Sequence, residues 1–288
     1  MLFRSLINAY GSAKRMALAL GVDDVEEIAR ELETLLKAKP PTSFREAISL
    51  LGSAFELRHA KPKSVGSGVC QQMVMKAPDL RALPIQKCWP DDAGRYVTLP
   101  LVITRDPDTG ARNVGTYRMQ VIDEKTAFMH WQLHKTGARH WRRYMELKRR
   151  MPVTVALGGD PVYAFAATAP MPDGLDEFLL AGFLRKKSVE LVKCQTNELE
   201  VPANCDFVLE GYVEPEDKLD LEGPFGDHTG YYTLPEPYPK FRIERITHRA
   251  DAIYPSTIVG IPPMEDFYMG TASVRIDRKS TRLNSSHT

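Results

Sequence analysis

The stretch Asn113-Val-Gly-Thr-Tyr-Arg-Met-Gln120, with its echo Phe128-Met-His-Trp-Gln-Leu-His134, reads as two strands about a turn at Asp123-Glu124-Lys125. In the first strand Val114, Thr116, Arg118 and Gln120 would share one face, because side chains alternate along a strand. An arginine among polar neighbours in mid-strand is poor core material. The second strand carries two His, a Trp and a Gln. Two readings fit such a hairpin equally well. It is half-exposed with chance polar residues, or it walls a pocket for a cofactor and a metal ion.

Working outward, the upstream chain changes character twice. Val25, Ile28, Ala29, Leu32, Leu35 and Leu36 fall at helical spacing behind an N-cap at Asp23 or Asp24. Pro40-Pro41 ends that helix, and Ser43-Phe-Arg-Glu46 is a capping-box pattern that opens another, through about Leu57. From 61 to 110, Gly66, Gly68, Pro78, Pro84, Pro90 and Gly94 punctuate short apolar pieces, as in strands and loops. A strand is expected over Tyr96–Thr104, closed by the turn Asp106-Pro-Asp-Thr-Gly110.

Downstream, Lys135 to Arg150 is a basic stretch that reads as a helix with a solvated cationic face. Its first turn, with Lys135, would suit a phosphate. Aromatics are not interleaved through it, which argues against nucleic acid. Strands are expected at 152–157, 162–167, 188–193, 207–213 and 241–247, and a short helix begins at Asp176-Glu177. Helices first and strands later make the chain α+β, with a barrel or sandwich in its second part.

Bulk properties exclude several classes. With 43% apolar and 26% charged residues, the composition is that of an ordinary globular protein. A net charge of +1 gives no field for nucleic acid. The four cysteines, Cys70, Cys88, Cys194 and Cys205, form no CxxC pair and read as reduced thiols. No apolar run approaches a membrane span, and the N-terminus lacks a signal-peptide pattern.

Leu221-Glu-Gly-Pro-Phe-Gly-Asp-His-Thr-Gly-Tyr231 is the second informative stretch. Its three Gly and one Pro constrain an irregular loop that holds Glu222, Asp227 and His228 together. Neighbouring carboxylates raise one another's pKa, which would make one a usable acid near neutral pH. The plainer reading is a surface loop with solvated turn residues. The density of constraining residues around these acids favours a functional role.

Taken together, these stretches resemble the UbiD family of prenylated-flavin-dependent decarboxylases. The resemblance rests on Asn113-Val-Gly-Thr-Tyr-Arg118, Met129-His-Trp131 with His134, Asp176-Glu177, Val192-Lys-Cys194 with Val201-Pro-Ala203, and Leu221 to Asp227. His248-Arg-Ala-Asp-Ala-Ile-Tyr254 and Gly260-Ile-Pro-Pro-Met-Glu-Asp266 add to it. It implies an N-terminal α/β domain over 1–94 and a split β-barrel of the flavin-reductase-like, FMN-binding kind over 95–276.

The resemblance also implies roles. Asn113, His134 and Glu177 would hold a divalent metal, usually manganese, with a potassium ion nearby. Thr116, Tyr117, Arg118, His130, Trp131, Gln132, Lys135 and Thr136 would contact prenylated FMN. Arg118, Glu222 and Asp227 would form the catalytic network, with Asp227 as proton donor. The implied reaction is non-oxidative decarboxylation of an aromatic acid, nearest to 4-hydroxy-3-polyprenylbenzoate in quinone biosynthesis. Alternatives are another aromatic or α,β-unsaturated acid, an ordinary FMN-dependent split-barrel oxidoreductase, or a non-catalytic binding protein. Implied partners are a flavin prenyltransferase that supplies the cofactor and further copies of the chain. The expected location is cytoplasmic, with loose association at the inner membrane. Family chains are longer, so a further strand and a C-terminal α/β domain are expected after Ile276. The polar tail 277–288 resembles none of that and reads as foreign to the family.

Overall fold

The computed structural model describes residues 3–37, 60–169 and 176–284. Its centre is a nine-stranded antiparallel sheet. From one edge the order is Arg112–Gly115, Leu101–Arg105, Met151–Leu157, Phe207–Val213, Lys240–His248, Thr126–Met129, Met119–Val121 and Tyr96–Val97. Met73–Val74 pairs with the far end of Lys240–His248.

Chain connectivity forces this sheet to curl. Six inter-strand steps separate Arg112–Gly115 from Met119–Val121. Laid flat, six steps would span roughly 29 Å. Yet Thr116, Tyr117 and Arg118 alone join Gly115 to Met119, and four residue steps reach about 14 Å at most. The two ends of the sheet must therefore approach each other, and residues 116–118 bridge the gap.

The core follows from that curl. Val97, Val102, Met119, Met129, Val153, Val155, Leu209 and Phe241 belong to one buried cluster, although they come from strands at both ends of the sheet. Their face is the inner one. The helix Thr136–Glu146 adds Ala138 and Tyr144 to this cluster. The other face packs against the helices Ala13–Leu20, Pro161–Thr168 and Glu177–Arg185, through Leu101, Ile103, Val114, Ala156 and Val208. The strand Arg4–Ile7 runs parallel to Ile253–Ser256 and ties the N-terminal region to the rest.

Several expected elements appear as read. Asp24 caps the helix Val25–Lys37, accepting from the Glu26 N–H while Glu27 accepts from the Asp24 N–H, a reciprocal capping box. Phe207–Val213 is a strand to the residue. The basic stretch forms the helix Thr136–Glu146, and Asp176 caps Glu177–Arg185.

Others need correction. Asn113–Gln120 is not one strand. Asn113 to Gly115 lies on one sheet edge, while Met119–Val121 pairs with Thr126–Met129 near the other. The second strand stops at Met129, so His130 to His134 lie beyond it. Residues 162–167 are not a strand but part of the helix Pro161–Thr168. Gly158 and Gly159, both at positive φ, end the preceding strand, Asp160 accepts from the Val162 N–H, and Pro161 occupies the first turn. The strand expected over 96–104 is broken by Thr98, Leu99 and Pro100. Residue 276 lies in the helix Glu265–Asn284. The capping-box helix from Ser43 lies outside the described residues.

Candidate active site

The bridge residues carry the first cluster. Arg118 donates from Nε and Nη2 to the two oxygens of Glu222 at 2.9 and 3.0 Å. Its Nη1 donates to Asp227 Oδ2 at 3.1 Å, and Nη2 also reaches Thr233 Oγ1 at 3.2 Å. The guanidinium stands 4.5 Å from the centre of the Phe225 ring. His130 Nδ1 lies 3.0 Å from Glu222 Oε2, and the Tyr238 hydroxyl is within 3.4 Å of His130 Nε2.

The loop that brings the acids here is pinned from the hairpin. Gln120 Oε1 accepts from the Gly223 N–H at 2.8 Å and from the Tyr96 hydroxyl at 3.0 Å. Asp92 accepts from the Gly226 N–H at 2.7 Å, and its other oxygen accepts from the N–H groups of Cys88 and Trp89. Only glycine fits at 226, because a Cβ there would sit 2.1 Å from the Trp89 ring. The residue before Asp227 is thus locked against a half-buried indole.

The electrostatics differ from the sequence expectation. Two neighbouring carboxylates were expected to push one pKa up. Burial does push Glu222 up, but hydrogen bonds from His130 and Arg118 and the charge of Arg118 outweigh it and leave the carboxyl below its usual value. Burial likewise raises Asp227, and is outweighed by the His228 N–H and imidazole and by Arg118. A cation between the two acids reverses the like-charge effect.

A second cluster lies on the other side of the bridge. Asn113, Thr116, Tyr117, His134, Lys135, Thr136 and Glu177 line a hollow of about 350 Å³. A second hollow of about 240 Å³ is lined by Thr116, Tyr117, Arg118, His130, Gln132, Lys135 and Asp227, with His228 and Val259. The two share Thr116, Tyr117 and Lys135, so they are adjoining parts of one groove. Twelve of the thirteen residues named from sequence as site residues line this groove or, for Glu222, bond to its arginine.

The exception is Trp131. It is buried in the inner core, against Gly137 and beside Trp141, and faces neither hollow. Several neighbours escaped the sequence reading, among them Asp92, Thr233, Tyr238 and the Arg112–Asp176 ion pair at 2.6 Å. Asp92 sat in a turn-like Trp89-Pro-Asp-Asp run that could have flagged it. The others carry no local pattern.

The groove suits a phosphate-bearing cofactor and a metal ion. The Thr116 hydroxyl is buried between the hollows with no hydrogen-bond partner, an acceptor or donor waiting for a ligand. The helix Thr136–Glu146 starts at the groove beside Lys135, so the positive end of its dipole and that ammonium favour an anion. Asn113, His134 and Glu177 offer an amide oxygen, an imidazole and a carboxylate, a donor set for a hard or intermediate cation. Among the described residues no group of three or more His, Cys, Asp and Glu forms a metal cluster. A set with two such residues and an amide agrees with that.

Within this hollow, Glu177 is an acid whose pKa is raised. Burial lifts its carboxyl to about 7, while N–H groups of its own helix turn and of Val114 hold it back, the latter at 2.8 Å. Its folded value lies above the unfolded one, so its contribution to stability is present at low pH. That contribution is lost as pH rises from about 4.5 to about 7. The loss is at most ~3 kcal/mol. Glu177→Gln should therefore flatten the fall in Tm of the metal-free protein across that pH range. An unchanged slope would show that Glu177 does not titrate there.

The sequence comparison settles the class. Residues 62–262 match the profile of the UbiD 3-octaprenyl-4-hydroxybenzoate carboxy-lyase Rift-related domain. The chain belongs to the UbiD family. It is 50% identical over 271 residues to an uncharacterised protein of Archaeoglobus fulgidus, covering 94% of this chain and 56% of that protein. Among solved structures it is similar to the vanillic acid decarboxylase of Sedimentibacter hydroxybenzoicus in its closed form, with 27% identity and a TM-score of 0.78. That match covers 93% of this chain and 55% of the other. It is equally similar to an evolved dimeric form of the UbiD-class enzyme HmfF from Pelotomaculum thermopropionicum in complex with prFMN. There the identity is 27% and the TM-score 0.78, over 93% of this chain and 57% of that one. The chain thus spans a little over half the length of the relatives it matches.

Proposed function

We propose that this chain carries the cofactor groove and acid network of a carboxy-lyase that decarboxylates an aromatic acid without oxidation, using prenylated FMN and a divalent metal. The observation that carries the reading is Arg118, held by Glu222 and Asp227 at one end of a groove whose other end presents Asn113 and Glu177. The names of the structural relatives, a vanillic acid decarboxylase and a prFMN complex, support it. On this reading residues 95–276 form a split barrel of the flavin-reductase-like kind, after an N-terminal domain over 1–94.

When bound, prenylated FMN supplies the electron sink that loss of CO2 from an sp2 carbon requires. Asn113, His134 and Glu177 would hold manganese against the cofactor phosphate, with Lys135 and the helix N-terminus on the same anion. Arg118 binds the substrate carboxylate. In doing so it loosens from Asp227, whose carboxyl rises once that cation is withdrawn. Asp227 then delivers a proton to the carbon that has lost CO2, and Glu222 keeps Arg118 and His130 oriented.

The substrate class we favour is 4-hydroxy-3-polyprenylbenzoate. Leu221, Tyr231, Leu234 and Ile261 are exposed on the loops that carry or adjoin the acids, and apolar surface there suits a greasy substituent. No helix among the described residues is long and apolar enough to cross a membrane. Such a substrate would be met at a membrane surface from the cytoplasm, by a homo-oligomer charged with cofactor by a flavin prenyltransferase, with potassium beside the manganese. The test is CO2 release from a panel of 4-hydroxy-3-prenylbenzoate, 4-hydroxybenzoate, vanillate, cinnamate and 2-furoate. Preference for the prenylated acid supports the assignment, and preference for an unprenylated one moves it to another aromatic acid.

A further inference from the structure

Loss of CO2 from a carboxylate consumes one proton per turnover, R–COO⁻ + H⁺ giving R–H and CO2. Asp227 can give that proton once and must then be reloaded. We propose that His228 is the relay that reloads Asp227 from solvent, an inference that rests on the decarboxylase reading.

The geometry assigns the two oxygens of Asp227 to different partners. Oδ2 accepts from Arg118 at 3.1 Å. Oδ1 accepts from the His228 backbone N–H at 2.7 Å, and lies 2.9 Å from His228 Nδ1. The Asp227 side chain is 22% exposed and the His228 ring 65% exposed. Both line the hollow that also holds Arg118 and His130. The imidazole therefore touches water on one side and the acid on the other. Asp266, at the start of the helix Glu265–Asn284, faces the pair electrostatically. Its Oδ1 is buried without a partner. The charged groups around the ring are thus Asp227 and Asp266, with Arg118 beyond Asp227.

The step balances as follows. Once His228 has taken a proton from solvent, its Nδ1–H faces the Asp227 carboxylate oxygen Oδ1. When Arg118 turns to the substrate, the Nδ1–H bond breaks and an Oδ1–H bond forms, leaving neutral His228 and protonated Asp227. Asp227 passes that proton to the carbon. The ring rotates outward, takes a proton from water at Nδ1 and returns, a motion open to an exposed side chain on a fast timescale. His228 acts through Asp227 and does not touch the substrate.

His228→Gln keeps the backbone N–H on Oδ1 but cannot carry a proton. In the cofactor-loaded protein its kcat is expected to fall about 30-fold with KM unchanged, within the range for a lost proton-transfer group. Its solvent deuterium isotope effect should grow, and added imidazole should restore much of the rate. An unchanged kcat and isotope effect in His228→Gln, beside a wild type that releases CO2, overturns the relay. A wild type that releases no CO2 overturns the decarboxylase reading itself, and the relay falls with it.

Discussion

Glu222→Gln and Asp227→Asn are each expected to lower CO2 release by about 10²-fold or more, while the cofactor stays bound. The two variants fail for different reasons. Glu222 is wholly buried and holds Arg118 through two oxygens and His130 through one of them. Its amide keeps the volume but presents one acceptor where there were two, and leaves Arg118 with one of its two carboxylate partners. Uncompensated buried charge costs about 3–5 kcal/mol when one partner is removed. Part of that should appear as lower stability in Glu222→Gln. Asp227→Asn removes the proton donor instead, at a partly exposed position, so its stability should change less. Neither residue belongs to the hollow lined by Asn113 and Glu177, so cofactor absorbance should persist in both. Full activity in both variants would refute the assigned roles.

His134→Ala should do the opposite, emptying the groove before the chemistry is reached. His134 is exposed on the segment between the strand Thr126–Met129 and the helix Thr136–Glu146, and it lines the hollow with Asn113 and Glu177. Losing one of three protein ligands should cost more than the about 10–100-fold that outer-shell changes cost in metal affinity. Manganese content by elemental analysis and flavin absorbance should fall together, because on the proposed reading His134 would help hold the metal beside the cofactor. Unchanged metal content would remove His134 from the ligand set.

The sequence carried the local signals and missed what closure of the sheet decides. Asp24 with Glu27, and Asp176 before Glu177, are caps whose partners lie within three residues, so spacing reveals them. The alternation of Phe207–Val213 was equally local. The break at Thr116–Arg118 was not, because only the approach of the two sheet ends separates Gly115 from Met119. Residues 162–167 misled for another reason. Their Val, Tyr and Phe favour strand, and the Asp160-Pro161 start signal that overrides them is two residues long.

The site shows the same division. Motif resemblance named Arg118, Glu222 and Asp227, but 104 and 109 residues separate Arg118 from its two acids, and no spacing rule predicts their contact. The like-charge argument for a raised pKa failed because it left out the arginine between the acids. Glu177, read as a metal ligand, proved to be an acid that burial raises. Trp131, which the resemblance names as a contact of prenylated FMN, packs in the inner core beside Gly137.

The most direct test of the central claim is the identity of the bound cofactor. The protein would be produced beside a flavin prenyltransferase, both as this chain and joined to the part of the Archaeoglobus fulgidus relative that it does not match. Its cofactor would be read by mass and absorbance, together with CO2 release. Bound prenylated FMN with manganese and CO2 release is the result predicted here. Plain FMN, or a folded protein with no flavin in either form, would contradict it and point to an oxidoreductase or a non-catalytic binding protein.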